Sequence, residues 1–211
     1  MAEQTLDDAT SADAETSAET KSHEPSLTSM AIKDVALVMA ALSLWGAAYA
    51  WYTVTGAWIA LVVSVVDGVF VGLLLASLAH EWGHFGGAAF AGAKRRRVYP
   101  TLPNLFRFEY LHEHNNTEQF HQMTIGGHTG HWTAWLLMFL ALPMNQIAPI
   151  TLVGAMFGFN VFASVIEYNI TSDTRAGMDP EQRLQALTPE DFRTSGLAGL
   201  IGGLFAVAAL A

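Results

Sequence analysis

Apolar residues run in long blocks along this chain, and short polar stretches separate them. The first block covers residues 31–52 and closes at a turn, Thr53-Val54-Thr55-Gly56. Trp45, Trp51 and Tyr52 suit a membrane–water interface near its far end. The second block, residues 57–92, is longer than a bilayer requires, since one helix of that length measures about 54 Å. It predicts a helix that is tilted, or else kinked or split near Asp67-Gly68. Residues 98–128 are polar and mixed, with Tyr99-Pro100 and Pro103-Asn104 among them, and predict extended or re-entrant structure. Two more blocks cover 129–147 and 148–170, with Pro143 and Pro149 bracketing their junction. A polar loop over 171–193 carries Arg175, Arg183 and Arg193, and a last apolar segment follows over 196–211. The expected fold is all-α: a polytopic transmembrane helical bundle of about 4–5 spans with a small extended or re-entrant loop region.

Composition sharpens this picture. Charged residues make up 14% of the 211, against about a quarter in a soluble domain. There is no cysteine, so disulfides and thiolate metal sites are excluded and any metal must be held by histidine and carboxylate. The net charge of −9 comes largely from residues 1–29, where seven acids (Glu3, Asp7, Asp8, Asp13, Glu15, Glu19, Glu24) face one lysine. That stretch has almost no large apolar residue and predicts a disordered acidic tail. Residues 30–211 then form the membrane domain, with its core at 68–180. Lys94-Arg95-Arg96-Arg97 reads as a stop signal and cytoplasmic anchor, not as a nucleic-acid site. With the N-terminus cytoplasmic, all ten Lys and Arg fall on the cytoplasmic side. The expectation is a multi-pass integral membrane protein; the compact chain, without a targeting segment, points to a bacterial inner membrane.

The candidate chemistry lies inside the second block, at His80-Glu81-Trp82-Gly83-His84. Residues four apart share a helix face, so His80 and His84 can hold one metal ion, and Glu81 can serve as general base. Two imidazoles and a carboxylate at membrane depth are costly, and such groups mark working sites. Two other acids lie in apolar runs. Asp67, 13 residues before His80, is about 20 Å away along a straight helix and suits a polar hinge or water pathway. Glu167 sits in Val165-Ile166-Glu167-Tyr168, where an unpaired carboxylate is costly. Asn160 reads either as a cavity group that binds substrate backbone or as a helix–helix hydrogen bond.

The motif His80-Glu-Trp-Gly-His84-Phe, followed by small residues and Gly92-Ala-Lys, resembles the site-2 protease family of intramembrane zinc metalloproteases. Met123-Thr-Ile-Gly126-Gly127-His-Thr-Gly130 is similar to the glycine-containing start of that family's second core helix, without its Pro and Asn. Asn169-Ile-Thr-Ser-Asp173-Thr-Arg-Ala is similar to the stretch that carries its third zinc ligand, without the usual prolines, Leu and Gly. The resemblance covers roughly residues 68–180. It implies zinc held by His80, His84 and Asp173, with Glu81 as the base and a membrane protein as the substrate. Glu167 is the alternative third ligand, or a partner that fixes a histidine tautomer. Plainer roles are a loop cap for Asp173 and a pairing with Arg175 for Glu167. The segment 98–128 would give the substrate an extended edge.

Two other classes fit some of the same residues. The His80/His84 spacing also occurs in membrane di-iron hydroxylases and desaturases, with His112, His114, His121, His128 and His131 as later boxes, although no His-His pair is present. A non-catalytic metal-binding membrane protein is the third class.

Overall fold

The structure, a computed structural model, describes residues 24–99 and 108–211. Among them are six α-helices: α1 (Leu27–Thr55), α2 (Trp58–Phe90), α3 (Thr117–Ala141), α4 (Ile147–Arg175), α5 (Pro180–Gln185) and α6 (Pro189–Leu210). A two-stranded antiparallel hairpin, β1 (Arg95–Arg97) with β2 (Phe108–Tyr110), joins α2 to α3 through a single 3₁₀ turn, His112–His114. The all-α bundle expected from the sequence is therefore present. Four helices, α1, α2, α4 and α6, are long and apolar enough to cross a membrane. Their outer faces carry large exposed side chains such as Val35, Met39, Leu44, Phe70, Leu200 and Phe205. An apolar surface this wide suits lipid and not water.

The helix starts follow from capping chemistry. Ser26 accepts a hydrogen bond from Ser29 N at 3.0 Å and sets the start of α1. Helix therefore begins three residues inside the stretch read as tail, and Glu24 reaches Arg97 at 3.0 Å. The rest of the expected tail, residues 1–23, lies outside the described residues. Asn116 and Gln119 form a reciprocal capping box at the start of α3. This overturns part of the reading of 98–128 as extended or re-entrant: from Thr117 onward the segment is helix. The hairpin keeps the extended part. Thr188 and Asp191 form a second capping box that starts α6 at Pro189, so the last helix has 22 residues and not the expected sixteen.

α2 runs its 33 residues without a break at Gly68. That glycine serves close packing instead. A Cβ there would sit 3.2 Å from Ala148 O on α4 and 3.3 Å from Trp45 Nε1 on α1. Around this crossing lies the main core, Trp45, Val71, Ala76, Leu152, Val153 and Met156.

Helix order around α2 positions the site. α3 returns antiparallel along it, with Gly83 and Gly87 against Gly126 and Gly130. A Cβ on Gly83 or Gly126 would overlap the other's carbonyl oxygen, so only small residues allow this approach. α4 runs alongside α2, and α6 packs on α4 through a second small-residue crossing, Gly154 and Gly158 against Gly199 and Gly203. α1 is tied to the motif itself, because Trp82 Nε1 donates to Asp34 Oδ2 at 3.0 Å and Asp34 also pairs with Lys33. At the hairpin, Arg96 pairs with Glu109. Burial of Tyr110 pushes its phenol pKa up to about 12.

Candidate metal centre

His80 and His84 project from one face of α2, one turn apart. Glu167 reaches them from α4. His80 Nε2 lies 3.1 Å and His84 Nε2 2.9 Å from Glu167 Oε1, and the two Nε2 atoms are 3.0 Å apart. These three residues form the one cluster of metal-ligating side chains found among the described residues. All three are buried or nearly so, with side-chain exposures of 11–13%.

The chemistry of this donor set fits a metal ion. His84 Nδ1 lies 2.9 Å from the Met123 carbonyl, which can only accept, so Nδ1 carries the proton and Nε2 offers a lone pair. Lone pairs from two imidazoles and a carboxylate facing one another at 2.9–3.1 Å need positive charge between them, from a proton or a cation. A tetrahedral zinc with bonds of about 2.0–2.1 Å spaces its ligand atoms about 3.3 Å apart, so little adjustment is needed.

Three neighbours on α3 complete the cluster. Gly127 faces the His84 ring: a Cβ there would lie 2.7 Å from Nδ1 and 2.8 Å from Nε2. His131, fully buried, brings its Nδ1 within 3.0 Å of His80 Nδ1. His128 Nε2 lies 3.2 Å from the second carboxylate oxygen, Glu167 Oε2. Phe159 on α4 stacks edge-on against His80, with centroids 5.7 Å apart. The same phenylalanine lines an apolar groove of about 360 Å³ between α2, α4 and α6. Glu81 is half-buried beside the cluster, and it has no hydrogen-bond or ion-pair partner among the described residues.

Asp173, the third ligand that the resemblance implies, stands apart from the two histidines. Its Oδ2 takes Arg183 Nε at 2.6 Å, an ion pair that docks α5 onto the end of α4. Six residues beyond Glu167 on one helix, it stands about 9 Å further along the axis and about 240° round it, away from the histidines. Glu167, the alternative, is the carboxylate that stands against the two histidines, and it is not paired with Arg175. The signal for Glu167 was its cost, a carboxylate in an apolar stretch. Asn160 donates from Nδ2 to the His131 carbonyl at 3.2 Å, which makes it a helix–helix contact. His121 bonds Thr174 Oγ1 at 2.9 Å, and His114 pairs with Glu113, so neither joins the cluster. His128 and His131 do gather at the site, but sequence spacing gave no sign that one would meet Glu167 and the other His80.

Comparison with protein-family models, with curated proteins and with solved structures finds no match.

Proposed function

We propose that this chain is an intramembrane zinc metalloprotease of the site-2 type, cutting peptide bonds in or near the membrane spans of other proteins. The observation that carries the reading is the convergence of His80 Nε2, His84 Nε2 and Glu167 Oε1 within 3.1 Å of one another in an apolar helical bundle. His80, His84 and Glu167 hold the ion. When bound, zinc supplies Lewis-acid polarisation of the scissile carbonyl and makes a water more acidic. Glu81, free of other partners, takes the proton from the attacking water and delivers it to the leaving amine. The groove beside Phe159 suits an apolar segment that reaches the site from the lipid side. Peptide bonds in an intact helix are shielded, so the substrate unwinds locally to be cut. By the positive-inside rule, the N-terminus and the arginine-rich loops face the cytoplasm, and a bacterial inner membrane is the proposed location.

The test is Glu81→Gln in proteoliposomes with a single-span reporter substrate. Cleavage is expected to fall by about 10²–10⁴-fold, the usual worth of a general base, with metal content unchanged. Wild-type cleavage by the variant contradicts the mechanism.

One observation favours a second reading. Glu167 presents Oε1 to His80 and His84 and Oε2 to His128, as a carboxylate between two irons would. Two irons per purified chain select that di-iron class instead.

A further inference from the structure

α3 poses a puzzle. It packs one face against both α2 and α4, yet it is not among the four helices apolar enough to cross a membrane. Its polar groups are costly in such a place unless they serve the site. From the geometry we infer that α3 supplies no metal ligand of its own but holds each of the three ligands in place, through His131, His128 and the Met123 carbonyl. This inference rests on the proposed metal site.

Each contact falls on a different ligand. The Met123 carbonyl accepts from His84 Nδ1 at 2.9 Å. His131 Nδ1 meets His80 Nδ1 at 3.0 Å. A metal-bound His80 has no proton on Nε2, so its Nδ1 carries the proton and donates to His131. His128 Nε2 faces Glu167 Oε2 at 3.2 Å, close enough to pair in charge but without hydrogen-bond geometry, and Oε1 is left for the histidines. Positions 123, 127 and 131 recur every four residues, with 128 beside them, so one stripe of one helix makes all three contacts. Gly127, within that stripe, makes room for the His84 ring. The stripe itself is anchored from α4, where Asn160 Nδ2 donates to the His131 carbonyl.

His131 does not act as a fourth ligand. Its Nδ1 is committed to His80, and its Nε2 is buried without a hydrogen-bond partner among the described residues. His131 and His128 are thus positioning residues. Fixing the tautomer and ring angle of a metal-bound histidine typically accounts for about 10–100-fold in metal affinity.

The test uses the full chain in detergent and Co²⁺ as a spectroscopic stand-in for zinc. Affinity is measured by competition with a chelator, and ligand geometry by visible d–d absorption. His131→Ala and His128→Ala are expected to weaken Co²⁺ binding by about 10–100-fold and to change the absorption band. His131→Asn places an acceptor near the Nδ1 position, and His128→Gln places a donor near Nε2; both are expected to stay within a few-fold of wild type. His128 is the partly exposed member, so its variants report even where loss of the buried His131 upsets folding. Alanine variants with wild-type affinity and spectrum overturn this inference alone. So do four variants that all weaken alike, because these polar contacts would then not be the cause. Two ions per wild-type chain also overturn it, with His128 and His131 then acting as ligands. A wild-type chain that takes up no metal overturns the protease reading and this inference together.

Discussion

Gly127 shows how far a single residue decides the site. It has no side chain because the imidazole of His84 fills the space where one would stand. Gly127→Ala adds one methyl group to a well-packed place, and overpacking of this kind costs about 1–3 kcal/mol. The ring must also turn, which breaks its hydrogen bond to the Met123 carbonyl. The variant is expected to fold with a lowered melting temperature and to lose most of its metal; wild-type metal content in Gly127→Ala contradicts this close approach of α3 to the His84 ring. At the same scale, Asp173 and Glu167 differ in their partners. Asp173 has a guanidinium beside it and needs no metal, whereas Glu167 meets only imidazoles.

At the scale of elements, the four long apolar helices are readable in the sequence, α3 only in part, and the short α5 lies in a stretch that reads as a polar loop. Long apolar blocks have few other solutions in a bilayer, so α1, α2, α4 and α6 follow from pattern alone. α3 is hidden in part because its polar stripe faces inward. Its first turns, with Phe120, His121 and Thr124 buried, do not show the apolar face by which a helix is recognised. The Asn116-x-x-Gln119 capping box is in the sequence, but it weighs little beside so many histidines. The continuity of α2 is not legible because Gly68 reads as a hinge, and only the approach of Ala148 and Trp45 shows it to be a contact. The site divides in the same way. His80, Glu81 and His84 lie within about one turn of helix and are legible. The carboxylate that meets them, Glu167, comes from another helix, 83 residues from His84, and depends on which face of α4 turns inward. Two predictions belong here. Gly158→Leu places a bulky side chain where a Cβ already meets Gly199 O at 2.8 Å, and is expected to push α6 off α4 and lower thermal stability. An unchanged melting temperature contradicts that packing. In the hairpin, Tyr110 has its pKa raised to about 12 by burial. Folding holds its proton more tightly than the unfolded chain does, so its contribution is fully present below about pH 10. It is lost as pH rises towards 12. Ultraviolet titration of wild type against Tyr110→Phe is expected to show this one late step, and its absence contradicts the burial.

At the scale of the whole molecule, the least apolar of the long helices, α3, lays its polar face against two apolar ones, α2 and α4. The polar centre lies on the inner faces of α2, α3 and α4, while α1 and α6 close the flanks. If α3 crosses together with the four apolar helices, the chain makes five crossings and its two ends face opposite sides. The absence of cysteine makes this testable without background, because single cysteines can be placed at will. A cysteine introduced near Gly177 is expected to react with an impermeant reagent from the same side as one near Lys94, and one at Ala211 from the opposite side. Reaction of all three from one side contradicts the proposed topology.

The most direct measurement is the metal content of the purified, detergent-solubilised chain, wild type beside Glu167→Ala and Asp173→Ala. About one zinc per wild-type chain is expected, lost with Glu167→Ala and kept with Asp173→Ala. Zinc that survives the loss of Glu167 and disappears with Asp173, or a wild-type chain without metal, would contradict the proposed metal site.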